Sequence, residues 1–276
     1  MKAKPAGRAV PAVRPVSAAQ RPIPPVRPAK RLIPPALPPL LCLVALWQAV
    51  SVSGIVPGYM LPGPLSVLAA LWKDRFLLAG HLGRTLSEAA AGLGLAVAVA
   101  FILAVIMDLS RRIKDALGPI LLLTQTVPTV ALAPLLILWM GYGSAPKIAL
   151  VFLTCFFPLT LALLGAFSSA GEDELRLLKS MGATSPQLYR YIKVPSSAAA
   201  FFSGLRVSAS YSIIGAVISE WLGGDAGLGV YMIRVRKSYS FDKMFAAILV
   251  VALLSLALMK LVELAEKAAT PWRKGD

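Results

Sequence analysis

Few side chains in this 276-residue chain could make or break a covalent bond. The one histidine, His81, has no cysteine or acid set near it at metal-ligand spacing and reads as a solvated loop residue. Cys42 and Cys155 both fall inside apolar runs, where they read as small buried hydrophobes and not as a disulfide pair. Gly223-Gly224 and Gly227-x-Gly229 look at first like a phosphate loop, but no Lys-Ser/Thr follows in the register that phosphate binding needs. Glu220, beside Trp221 at the end of an apolar run, reads as an interface residue, with contact to a solute or a binding protein as the alternative. No clustered His, Asp or Cys set occurs within the apolar runs, so no catalytic residue, metal ligand or nucleotide site is expected. What the residues offer is non-covalent: polar groups set into apolar runs, and one polar segment shaped to dock.

The polar groups concentrate in two runs. One carries Gln125, Thr126, Pro128, Thr129 and Pro134; the other carries Arg206, Ser208, Ser210, Tyr211, Ser212 and Ser219, with Gly204 and Gly215 permitting close helix approach. Proline breaks at membrane depth are tolerated only where neighbours or a cavity satisfy the freed carbonyls, and polar side chains there face the interior. Gln125, Thr126, Thr129, Ser208, Tyr211 and Ser212 are therefore the candidate lining of a solute pathway. Helix packing by the same Ser, Thr and Gly residues is the alternative.

The elements that position them follow from composition. With 57% hydrophobic residues and a mean hydropathy of +0.73, the chain has too little polar surface to cover a soluble domain. Runs able to cross about 30 Å of hydrocarbon as helices occur near 37–55, 86–109, 117–140, 148–170, 199–222 and 244–264. The expectation is an all-α polytopic membrane protein with about six transmembrane helices, residues 32–270 forming the membrane domain.

Residues 1–31 are rich in Pro, Ala and basic side chains and contain no acid, which predicts a disordered or extended tail, with no cleavable signal peptide. Lys and Arg distribute eighteen to eight in favour of the side that holds both termini and the segment 171–195, so that side is expected to be cytoplasmic. The net charge of +15 is scattered over loops and tail and forms no stripe or aromatic-interleaved patch, so nucleic acid is not an expected partner.

The docking segment runs from Gly171 to Pro195. Helical spacing puts Leu175, Leu178 and Met181 on one face, Gly182 stops that helix, Ser185-Pro186 opens a second as N-cap and first turn, and Leu188, Tyr191 and Ile192 are presented together before Pro195 ends it. Here the chain resembles the permease subunits of ATP-binding-cassette importers, whose cytoplasmic loop carries Glu-Ala-Ala, three residues, Gly, nine residues, then Ile-x-Leu-Pro. Gly182, Ile192 and Val194-Pro195 meet the pattern, while Arg176-Leu177-Leu178 replaces Glu-Ala-Ala. The Pro57–Pro64 connector, Ala133-Pro134-Leu135 with Trp139–Gly143, and Glu220–Gly229 are similar to the nitrate, sulfonate, taurine and bicarbonate subgroup. Ser219–Trp221 and Arg236-Lys237-Ser238-Tyr239 are nearest in wording to permeases assigned to hydroxymethylpyrimidine, a thiamin precursor.

The resemblance implies a type I importer permease fold in a bacterial inner membrane. It implies that Gly182, Ala183, Leu188, Tyr191, Ile192 and Pro195 couple the chain to two ATPase subunits, which hold the ATP and Mg; no cofactor is expected on this chain. An extracytoplasmic solute-binding protein is a further implied partner. No internal duplication supplies two loops in one chain, so a second copy is expected to complete a symmetric pair. An ion-coupled secondary transporter is the alternative, disfavoured because the acids in the spans, mainly Glu88, Asp108 and Glu263, sit near the ends.

Overall fold

The computed structural model describes residues 37–271, and every element among them is helical. The expected tail, residues 1–31, lies outside the described residues. Among the described residues, 37–43 and 44–271 belong to separate units. The helices are α1 (Leu37–Val52), α2 (Pro64–Lys73), α3 (Arg75–Leu109), α4 (Arg111–Thr124), α5 (Thr129–Met140), α6 (Ala145–Ser168), α7 (Glu172–Ser180), α8 (Ser185–Leu188), α9 (Val194–Gly223), α10 (Leu228–Lys237) and α11 (Phe241–Ala269); a π turn, Tyr189–Lys193, joins α8 to α9.

The all-α membrane architecture stands, with four spans, or five with the bent pair counted as one, among the described residues. Four helices among the described residues are long and apolar enough to cross a bilayer alone: α3, α6, the run Ser185–Gly223, and α11. The expected span 117–140 is instead two helices, α4 and α5, bent by 97°. Pro128 is the physical cause, since it supplies no N–H to continue α4 and biases Val127 away from the helical region. The break spans Gln125 to Pro128, and α5 restarts at Thr129 with Pro128 at its N-cap. The first expected span is met by a helix over Leu37–Val52. In the other direction, α3 begins at Arg75 and runs 35 residues, taking into the helix His81 and Arg84, which the sequence suggested were loop.

The core is built on small residues. Ala89, Ala96, Ala100 and Ala104 of α3 face Val151, Cys155, Leu159 and Leu163 of α6, with Ile213 and Ala216 of α9 closing the same cluster. Gly92 is required here: a Cβ on it would lie 2.6 Å from Val151 Cβ. Small side chains let these backbones approach closely enough for dispersion contacts to hold them together where lipid offers no hydrophobic driving force. Cys155 is buried as expected and donates its thiol to the Ser208 carbonyl at 3.2 Å; Cys42 is exposed. This three-helix core fixes both the broken span and the polar segment 171–195.

Candidate functional site

The segment 171–195 closes by two motifs. At the end of α7, Gly182 has φ +84 and its N–H donates to the Lys179 carbonyl at 3.0 Å, while the Ala183 N–H donates to Leu178 at 3.0 Å. This is a Schellman turn, and its positive φ is what the glycine is for. Thr184, and not Ser185, is the N-cap of α8: Gln187 reaches back so that its Oε1 accepts the Thr184 N–H at 2.7 Å.

Pro195 does not end the second helix. The turn Tyr189–Lys193 widens to a π geometry, with the Val194 N–H donating to Tyr189, and helix continues through Pro195 to Gly223. A proline lacks the N–H and crowds the carbonyl before it, so the wider turn is how the chain passes this residue without stopping. Leu188 and Ile192 are buried, and Tyr191 is 62% exposed, so the three do not share one outer face. The exposed large apolar residues of the segment are Leu177, Met181, Tyr191 and Val194.

The segment is anchored from within. Tyr189 donates its hydroxyl to the Asp108 carboxylate at the end of α3, and Lys193 bonds the same carboxylate. The Tyr189 ring also packs edge-on against Phe167 of α6, centroids 5.7 Å apart. Sequence reading noted Asp108 only as an acid near a span end; nothing local signals that it closes on residues 81 and 85 positions away.

The broken span opens a cavity of about 660 Å³ between α4, α5, α6 and α9. Of the six pathway candidates, Gln125, Thr129 and Tyr211 line it. Thr126, Ser208 and Ser212 do not. Thr126 folds its hydroxyl back to Leu123; Ser208 and Ser212 are buried between α6 and α9, donating to Cys155 and Ala209 carbonyls. A serine satisfied by a carbonyl one turn back or across a helix contact is a packing residue, which is the alternative the sequence left open.

The end of α9 farthest from the polar segment holds a buried polar cluster. Three successive backbone N–H groups around the start of α10 are capped by side chains of other helices: Gly227 donates to His81 Nδ1 at 3.0 Å, Leu228 to Thr85 Oγ1 at 2.8 Å, and Gly229 to Glu220 Oε2 at 2.6 Å. Thr85 in turn donates to Glu220 at 2.7 Å. His81 and Glu220 are thus buried structural groups, not the solvated loop residue and the interface residue that their sequence positions suggested. One turn along α3, Glu88 pairs with Lys147 at 3.0 Å and with Arg84 at 3.1 Å. The glycines explain themselves in space: a Cβ on Gly227 would fall 2.1 Å from the Glu220 carboxyl carbon.

The chain also fastens α10 and α11 to the start of α3. Asp74 accepts from Lys243 at 2.8 Å and from the Tyr231 hydroxyl at 2.9 Å. The Lys243 hydrogen bond, with Tyr231 adding to it against the opposing push of burial, holds the Asp74 carboxyl below the usual carboxylate range. Tyr231 is pushed up by burial first and by Asp74 second.

Long apolar helices, one span broken at a cavity, and a turned polar segment anchored to the core define a polytopic membrane protein. The chain belongs to the family of binding-protein-dependent transport system inner membrane components, whose model matches residues 92–271. It is 38% identical over 225 residues to an ABC transporter permease protein of Haemophilus influenzae, covering 80% of this chain and 92% of that one. It is 33% identical to a formylaminopyrimidine transport permease protein of Halalkalibacterium halodurans, covering 85% and 94%, and 34% identical to a riboflavin transport system permease protein of Chloroflexus aurantiacus, covering 84% and 88%. In fold it is similar to a chain of an amino acid ABC transporter crystal structure, with a TM-score of 0.60 at 16% identity, covering 72% of this chain and 97% of that one.

Proposed function

We propose that two copies of this chain form the membrane channel of an importer, each presenting its 171–195 segment in the cytoplasm to one of two ATP-binding-cassette subunits. ATP and Mg reside on those subunits, and an extracytoplasmic solute-binding protein delivers the solute. Both termini then lie in the cytoplasm of a bacterial cell, consistent with the excess of Lys and Arg on that side. The observation that carries the reading is the segment itself. Its Schellman turn at Gly182 exposes Leu177, Met181 and Tyr191 to a partner, while Tyr189 and Lys193 tie its far side to Asp108 in the core. A push on the exposed face therefore reaches α3 and α9 directly.

The solute is either a small pyrimidine of the thiamin-precursor type, in line with the formylaminopyrimidine relative, or a sulfonate-, nitrate- or taurine-type anion, in line with the sulfonate and taurine permeases at 26% identity. The test is co-purification of the cognate ATPase with the permease, joined to ATP-dependent uptake into membrane vesicles carrying the binding protein. ATPase co-purifying in equal copy number, with uptake that stops without ATP, is expected. A permease that moves solute on an ion gradient with no ATPase attached would replace this reading with the ion-coupled one.

A further inference from the structure

The cavity at the broken span contains no charged side chain. Its polar groups are the Gln125 amide, the hydroxyls of Thr124, Thr129 and Thr154, and the Tyr211 phenol. Two of these are already committed, since Thr124 donates to the Leu121 carbonyl and Thr154 to the Leu150 carbonyl, each at 2.8 Å. Among the described residues, the side chains of Gln125, Thr129 and Tyr211 make no hydrogen bond to the protein, which leaves one amide and two hydroxyls open to an occupant.

The charges nearby are matched to one another away from the cavity. Arg206 immediately precedes the lining residue Val207, yet its guanidinium is paired with Glu266 at 3.2 Å. Lys147, on the helix that supplies Leu150 and Leu153 to the lining, is buried against Glu88. An anion entering this space would give up its hydration and meet no cation in return, which a low-dielectric cavity penalises heavily. A neutral heterocycle would lose far less. Its ring nitrogens and exocyclic groups could exchange water for the donor and acceptor of Gln125 and the hydroxyls of Thr129 and Tyr211, with its faces against the Phe157 and Tyr211 rings.

Resting on the permease reading above, we propose that this cavity is a solute subsite that selects by charge: it accepts uncharged polar heteroaromatic rings of the pyrimidine class and turns away sulfonates, anionic as in methanesulfonate or zwitterionic as in taurine, with Gln125 and Tyr211 as the selecting residues. A volume of about 660 Å³ falls in the range of small-molecule sites, about 300 to 1,000 Å³.

The test uses the permease–ATPase complex in lipid nanodiscs, without binding protein, and saturation-transfer NMR with three probes: hydroxymethylpyrimidine, methanesulfonate and taurine. Transfer to the pyrimidine protons alone is expected. Tyr211→Ala and Gln125→Ala should each weaken pyrimidine binding by about five- to tenfold, the loss of one hydrogen-bond or stacking partner. Gln125→Arg should lose the pyrimidine and gain methanesulfonate, a gain that a misfolded variant cannot produce. Equal or stronger transfer to either sulfonate in the parent, or no transfer to any probe, overturns the proposal. ATPase co-purification is measured on the same samples. Its persistence alongside anion binding would overturn the charge selection alone, while its absence would overturn the permease reading on which the proposal rests.

Discussion

Lys193 and Asp108 form an ion pair between the polar segment and the C-terminal end of α3, and Tyr189 donates to the same carboxylate. The carboxylate is nearly buried and the ammonium only partly exposed, so water screens the pair only weakly. Asp108→Asn should leave Lys193 uncompensated and cost about 1 to 3 kcal/mol, below the full penalty of a completely buried pair. Thermal unfolding in detergent should drop accordingly, and Asp108→Asn with Lys193→Met should recover part of the loss. A double variant no more stable than the single would mean that the pair contributes through Tyr189 and not through charge.

Gly182→Val should close the left-handed region at the Schellman turn, at about 1 to 2 kcal/mol. Since nothing lies within 4 Å of the Cβ position, the cost is backbone conformation and not a clash. Gly182→Asn, which tolerates positive φ, should therefore behave nearly as the parent. The readout is ATPase co-purification and vesicle uptake: the Val variant should lose both while remaining in the membrane. Equal uptake in parent and Val variant would remove this segment from the coupling path.

Gly227→Ala should be far more damaging than an alanine elsewhere in the same region. The new Cβ meets the Glu220 carboxyl group, and φ +121 is a conformation L residues rarely adopt. A loss above about 2 kcal/mol is expected. Gly80→Ala, where nothing lies within 4 Å, should be neutral or slightly stabilising because alanine favours helix. Melting temperatures of the two variants side by side decide the point, and equal values would mean that the α10 cap does not hold this end together.

Asp74 gives a pH dependence with a definite sign. Its carboxyl is depressed in the folded chain, so the stabilisation it provides is complete above the ordinary carboxylate pKa of about 4 and is lost as pH falls through the lower folded value. Unfolding temperature should decline in that acid window, and Asp74→Asn should flatten the decline while lowering stability at neutral pH. An unchanged acid limb in the variant would assign the decline to other carboxylates.

Much of this architecture was legible in the residues, for reasons that also mark the limit. Apolar runs and the Lys and Arg bias report on lipid and length, which are local properties, so the helices came through. Gly182 was legible because a positive-φ turn has a one-residue signature. What was missed is non-local. His81 and Glu220 look like end-of-span residues until α3, α9 and α10 are brought together around three backbone N–H groups. Leu188 and Ile192 were assigned outward with Tyr191 by helical spacing, yet which side of that stripe meets the core is set by packing against other helices, and it buries the first two and leaves Tyr191 exposed. Ser208 and Ser212 are chemically indistinguishable in sequence from pathway serines; only their burial separates them.

The π turn has a mechanical result as well. By carrying helix through Pro195, it makes Ser185–Gly223 a single 39-residue rod, roughly 60 Å long at about 1.5 Å per residue. Rocking such a rod by about 5° around its middle shifts each tip by about 2 to 3 Å. Glu220 rides near one tip and holds Gly229 by a contact of 2.6 Å, so a displacement of that size breaks the contact or carries the start of α10 with it. Tyr191 and Glu220 thus sit near opposite ends of one continuous helix, so a tilt imposed at the first is felt at the second with no relay of intermediate side chains in between.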